Sequence, residues 1–122
     1  MEKKTVLIRG GGDLASGVAV RLHQAGYGVV VTELPQPLVV RRKVSFAEAV
    51  YEGSCIVEGI PGTKTDNLEQ MMETLEKGAV AVLVDPKCEC VEKLGPTAIV
   101  DGRLIKREMD DEFCGKWPVI GL

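Results

Sequence analysis

Val6-Leu7-Ile8-Arg9-Gly10-Gly11-Gly12-Asp13-Leu14-Ala15 decides the fold. A short apolar run ends in three glycines, and a helical pattern begins at once. The run has no polar alternation, which predicts a strand buried on both faces. From Asp13 to about Ala25, Leu14, Val18 and Leu22 recur every four residues, with Ala15 and Ala19 beside them. This spacing predicts a helix with one apolar stripe, closed by Gly26. Gly28-Val29-Val30-Val31-Thr32 is β-branched and predicts a second buried strand. Two parallel strands joined by one helix make a right-handed βαβ unit.

Outward from this unit, the alternation continues. The prolines of Leu34-Pro35-Gln36-Pro37-Leu38 exclude regular helix. Ser45 predicts a cap for a short helix over Phe46–Tyr51, with Glu48 completing a capping box. Cys55-Ile56-Val57 reads as a weak strand and Pro61-Gly62-Thr63 as a turn. Thr65 or Asp66 is expected to cap a helix through Leu68, Met71, Met72 and Leu75, ended by Gly78. Ala79–Val84, Ala98–Val100 and Val119-Ile120 read as strands. The pattern predicts a single α/β domain over residues 1–122, a Rossmann-like open parallel sheet with helices on both faces. About five strands are expected, with the first central and the second beside it.

Composition excludes several classes. The chain has 122 residues, 45% hydrophobic and 27% charged, which suits one folded domain. Fifteen Lys and Arg against eighteen Asp and Glu give a net charge of −3, so there is no basic footprint for nucleic acid. The longest stretch without a formal charge, Leu22–Thr32, has eleven residues, against about twenty for a membrane-spanning helix. With no secretory signal pattern and only four cysteines, a cytoplasmic location is expected. The apolar end, Trp117–Leu122, lacks a covering helix and predicts a homo-oligomer.

In an open α/β sheet, ligands gather outside the carboxyl ends of the strands. Those ends carry Gly10-Gly11-Gly12-Asp13, Glu33, Asp85-Pro86-Lys87-Cys88 and Asp101-Gly102-Arg103. Gly10-x-Gly12-x-x-Ala15 fits a turn that brings backbone N–H groups and a helix N-terminus to an anion. Glu33 follows Gly10 by 23 residues, where a carboxylate would meet a ribose hydroxyl. Asp13 opposes a simple pyrophosphate site, because its charge would repel phosphate; it reads either as a first-turn acid or as a group facing a different ligand. Arg41-Arg42-Lys43 is either a phosphate clamp or a solvated patch, and Arg103, Lys106 and Arg107 pose the same choice. Cys88-x-Cys90 has the spacing to hold a soft metal or a chalcogen, but reads as two small surface or half-buried thiols rather than a zinc site, since no His is near and the other cysteines are distant. His23 reads as a helix-surface residue. No nucleophile motif for hydrolysis is present.

Three stretches carry a family resemblance. Residues 6–19 look like the opening of the YqeB-type accessory proteins of selenium-dependent molybdenum hydroxylases. Arg41–Gly53 resembles that family's Arg-Arg-x-Val-Ser-Phe-Ala-Glu-Ala stretch, and Val100–Arg107 resembles its Val-Asp-Ala/Gly-Arg-x-x-Lys-Arg stretch. The family is similar in turn to the Rossmann portion of XdhC-type proteins, which help mature molybdenum cofactor. The resemblance implies a maturation role, with molybdenum cofactor or a molybdopterin nucleotide as ligand and a molybdenum hydroxylase as client. By motif it places Gly10, Gly11, Gly12, Asp13, Leu14, Arg41, Arg42, Asp101 and Arg103 on the ligand side. Glu33 joins them from the spacing argument. Cys88-x-Cys90 is outside the family pattern. Relatives usually continue past the position of Leu122 with a Gly-Pro-Gly-like loop, so a fragment or short form is expected.

The leading expectation is a non-catalytic accessory protein that binds a phosphate-bearing ligand. The alternatives are an NAD(P)-dependent oxidoreductase, weakened by Asp13 and by the missing general acid, and a nucleotide-sensing regulatory domain.

Overall fold

The computed structural model describes residues 4–10, 12–37, 45–102 and 117–121. Strand β1 (Thr5–Arg9) leads into α1 (Asp13–Gln24) and β2 (Gly28–Glu33). Next come α2 (Glu48–Glu52), β3 (Ser54–Val57), β4 (Ile60–Thr65) and α3 (Leu68–Glu76). Strand β5 (Val80–Val84), α4 (Val91–Leu94), β6 (Ala98–Asp101) and β7 (Val119–Gly121) complete the order. All strands join one sheet in the order β3-β4-β5-β2-β1-β6-β7. Among the described strands only β3 runs antiparallel, paired to β4. β1 lies between β2 and β6, as its uninterrupted apolar run requires.

Successive strand residues point to opposite faces, so each apolar run serves two cores. Val6, Ile8, Val29, Val31, Val80, Val82 and Val100 pack with Ala15, Ala19 and Val20 of α1 and Ala49 of α2. On the other face Leu7 and Ile99 pack with Cys88 and Val91, while Val30 and Ala81 pack with Met71 and Leu75 of α3. The helices therefore cover both faces of the Rossmann-like sheet.

Several local expectations are corrected. The sheet has seven strands rather than about five, because a hairpin lengthens one edge and β7 the other. Pro61-Gly62-Thr63 lies inside β4 and is no turn. The turn is Glu58-Gly59, both at positive φ (50° and 82°), which suits a tight two-residue hairpin loop between Val57 and Ile60. Pro61 is tolerated because the ladder to β5 begins only at Gly62. Gly62 is required by Phe46, since a Cβ there would stand 2.7 Å from the ring Cδ1.

On α1 the buried stripe is turned by about one residue from the expected one. Ala15, Ser16, Ala19 and Val20 face the sheet, whereas Leu14 is 55% exposed. The small residues let the helix sit close, and the leucines are displaced to its flanks. At α2 the helix starts at Glu48, with Ala47 at the cap position. The Ser45 hydroxyl instead accepts the Ala47 N–H at 3.1 Å, a turn preceding the helix. At α3 the cap is Asn67, whose Oδ1 accepts the Gln70 N–H at 2.8 Å, while Gln70 Oε1 accepts the Asp66 N–H at 2.8 Å. Thr65 is buried in β4, and its hydroxyl donates to the Val82 carbonyl.

Candidate functional site

Strands β1, β2, β5 and β6 run parallel, so Arg9, Glu33, Val84 and Asp101 end on one edge. Backbone bonds tie each strand's exit to its neighbour. The Gly10 N–H donates to Thr32 O at 2.7 Å, Asp85 N–H to Glu33 O at 2.9 Å, and Gly102 N–H to Arg9 O at 2.8 Å. These bonds set a rigid rim. Gly10 turns there at φ +91°, a conformation that favours glycine. Gly12 is extended (φ −71°, ψ −174°) and stands at the N-cap of α1, its carbonyl accepting the Ser16 N–H at 2.8 Å. Gly12 brings no side chain to cap the first N–H groups of this twelve-residue helix, which starts just past the end of β1.

Close to Gly10 a small, open cleft lies at the ends of β1 and β2 and the loop after β5. Arg9, Gly10, Thr32 and Glu33 form its floor, and Leu34, Asp85 and Pro86 its outer side. Arg9 is only 5% exposed and donates from Nη2 to the Pro86 carbonyl at 3.3 Å. Glu33 is likewise buried at the rim. Asp85 holds the local backbone in shape. Its two carboxylate oxygens accept the N–H groups of Glu89 (2.9 Å) and Cys90 (2.8 Å), which bends the loop into α4. The cleft thus combines one buried cation with carboxylates and backbone donors.

The structure brings Gly10, Gly12, Glu33 and Asp101 to this edge. Asp101 pairs with Arg9 in the sheet register. Leu14 lies on the exposed side of the first turn of α1. Gly11, Arg41, Arg42 and Arg103 lie outside the described residues, as do Lys43, Lys106, Arg107 and the side chain of Asp13. His23 is half-buried rather than free on the surface, with Nε2 2.7 Å from the Gly78 carbonyl. Among the described residues no group of three or more His, Cys, Asp or Glu could hold a metal ion. No helix among them is long and apolar enough to cross a membrane.

Over 104 residues, 85% of its length, the chain is 41% identical to a protein of Escherichia coli K12 that bears the name Uncharacterized protein YqeB. The match supports the YqeB family name. The chain spans 19% of the length of that YqeB protein. No protein-family model matches the chain, and no solved structure matches it significantly.

The YqeB name carries no activity, so the chemistry must be read from the cleft. Sequence reasoning assigned no role to Arg9, although a lone basic residue closing a doubly buried strand was a signal for it. Asp85 and Pro86 were placed on the right edge but given no role. The Asp85 signal was the spacing to the short helix that follows it.

Proposed function

We propose that the chain is the ligand-binding unit of an accessory protein for maturation of a molybdenum hydroxylase, selenium-dependent in the family its motifs resemble. It holds a phosphate-bearing ligand, such as a molybdopterin nucleotide, and works by binding rather than turnover. The observation that carries the reading is the α1 N-terminus, capped by a glycine two residues after Gly10, which lines the cleft together with the buried Arg9. Helix N–H groups with a nearby guanidinium supply what a phosphate needs. The molybdenum context rests on the three family-like motifs, and the YqeB match supports the family name that those motifs suggest.

A second reading, an NAD-binding sensor, is favoured by Glu33 alone, which lines the cleft from the end of β2, where a ribose hydroxyl would be met. An apolar end strand with Ile120 exposed fits self-association in either case. Calorimetry with molybdopterin cytidine dinucleotide, NADH and ADP-ribose separates the two. Gly12→Val is the control variant: the extended backbone at Gly12 does not strain a valine, and circular dichroism checks that the fold is kept. Tighter binding of the pterin nucleotide, lost in Gly12→Val, supports the maturation role. Tight NADH binding without turnover supports the sensor, and no binding of any of the three defeats both.

A further inference from the structure

Directly beneath the cleft lies chemistry that the ligand reading does not use. Cys88 is 1% exposed and packs with Leu7, Val91 and Ile99, and Cys90 is half-buried against the same cluster. Both are free thiols. Their side chains share one cluster, within reach of each other. Cys88 sits at φ +56°, a left-handed conformation that non-glycine residues rarely adopt. The Cys88 N–H donates to Asp85 O at 2.9 Å and the Cys90 N–H to Asp85 Oδ2 at 2.8 Å, so one residue fixes both cysteines in one turn.

The surroundings of the two sulfurs differ. Besides Cys90, Cys88 meets the Thr32 hydroxyl and the field of Arg9, both part of the cleft floor. Besides Cys88, Cys90 meets the Asp85 carboxylate. The hydrogen bond from Cys90 and the Arg9 charge hold the Cys88 thiol below the ordinary cysteine range, against burial and Asp85. Cys90 is pushed far up by its bond to Cys88, by burial and by Asp85. A metal bound by two sulfurs needs both deprotonated. Two free thiols in one turn and one cluster, both held by Asp85 and with unlike surroundings, are instead the arrangement of an attacking and a resolving thiol.

We propose that Cys88 and Cys90 form an oxidisable dithiol beneath the cleft, in which a small hydroperoxide oxidises Cys88 and Cys90 then closes a disulfide. The burial of Cys88 selects a small oxidant over a bulky disulfide. In the first step the Cys88 sulfur, having given its proton to solvent, attacks one peroxide oxygen; the O–O bond breaks, Cys88 becomes a sulfenic acid, and the departing hydroxide takes up that proton as water. In the second the Cys90 sulfur attacks the Cys88 sulfur, the S–O bond breaks, and the hydroxyl leaves with the Cys90 proton as water. Two thiols lose two electrons and one hydrogen peroxide becomes two waters. Two Cα–Cα steps of about 3.8 Å, bent within a turn, fall within the bridging range of roughly 4.4–6.8 Å. Because Asp85 grips the Cys90 amide and also forms the cleft side, closing the bond reshapes the cleft.

The test needs the intact chain, dilute hydrogen peroxide, quenching, alkylation of remaining thiols and peptide mass mapping. Residues 88–93 should lose two alkylation sites together and about 2 mass units, reversibly with dithiothreitol. Cys55, whose thiol burial pushes up, serves as internal reference and should react at least about tenfold more slowly. In Cys90→Ser the sulfenic acid should persist on Cys88 and be captured by dimedone. Residues 88–93 alkylated fully after peroxide, or oxidised no faster than Cys55, would overturn the proposal in the parent chain without any variant. So would a Cys90→Ser chain with native circular dichroism and no dimedone adduct at Cys88.

Discussion

Gly102 and Ala15 stand so close that one added carbon on Gly102 would lie 2.7 Å from the Ala15 Cβ. The same carbon would lie 3.3 Å from the Arg9 carbonyl, which accepts the Gly102 N–H. The exit of β6 and the first turn of α1 are thus pressed together over the end of β1, and this contact seats the helix above the strand exits. Gly102→Ala should cost about 1–3 kcal/mol by overpacking. Urea unfolding measures it, and adding Ala15→Gly should recover part of the loss despite the cost of a helical glycine, about 0.5–1 kcal/mol. Simple additivity of the two losses would show that the contact does not matter.

Gly62 makes the same demand on the opposite flank. Its missing side chain leaves room for the fully buried Phe46 ring and for Cys55 Sγ, which a Cβ would meet at 2.7 and 3.1 Å. Gly62→Ala should destabilise the chain by about 1–3 kcal/mol. In a Phe46→Leu background the penalty of Gly62→Ala should shrink, which a double-mutant cycle in urea would register.

The cap of α3 offers a separable test. Asn67→Ala should cost about 1 kcal/mol, because the Gln70 N–H loses its acceptor. Amide exchange at Gln70 should quicken in step. Replacing the Asp66 side chain by Ala should leave both readouts near the parent's, since Asp66 contributes only its backbone N–H to the box.

Alkaline stability follows from Cys55. Burial chiefly, and the Glu48 charge in addition, raise its thiol above the ordinary range, against hydrogen bonds from the Ala49 and Gly62 backbone. Above about pH 8.5 the unfolded chain releases this proton while the folded one keeps it, so the folded state binds more protons and stability falls as pH rises. The contribution is fully present below that pH. Cys55→Ala should therefore show a shallower decline in unfolding free energy between about pH 8.5 and 10 than the parent. Equal slopes would exclude Cys55 as a source of the decline.

The β1–α1–β2 unit was legible because strand, glycine turn and helix each leave a separate mark in the sequence, and all agree. Burial on both faces of the sheet was legible in the unbroken runs Val6–Ile8, Val29–Val31 and Val80–Val84. β4 was not, because Pro61 and Gly62 are turn formers, and the reason they are tolerated lies in Phe46 and in the late start of the β5 ladder. Both are tertiary facts. The Leu14 stripe failed for a related reason: spacing finds an apolar face but cannot tell that small residues beside it will win the sheet contact. In the cleft, Gly10 and Glu33 were marked by spacing. Arg9 was a single residue without a pattern, and nothing in the sequence announces the left-handed backbone of Cys88.

The place of β1 in the sheet also bears on how the protein comes into being. One flank of β1 is closed by β2, which follows it closely, but the other waits for β6, where Arg9 pairs with a residue 92 positions later. Pairing over such a separation is a slow, late event in folding, and a chain is synthesised from its N-terminus. The earliest residues to leave the ribosome are therefore among the last to be finished. Until Asp101 and Gly102 have been made, Gly10 holds only its bond to Thr32 and α1 has no second support at its first turn. Nascent or truncated chains ending before Asp101 would carry the glycine turn and yet lack half of its rim, so the rim is completed in a single late step rather than growing with chain length.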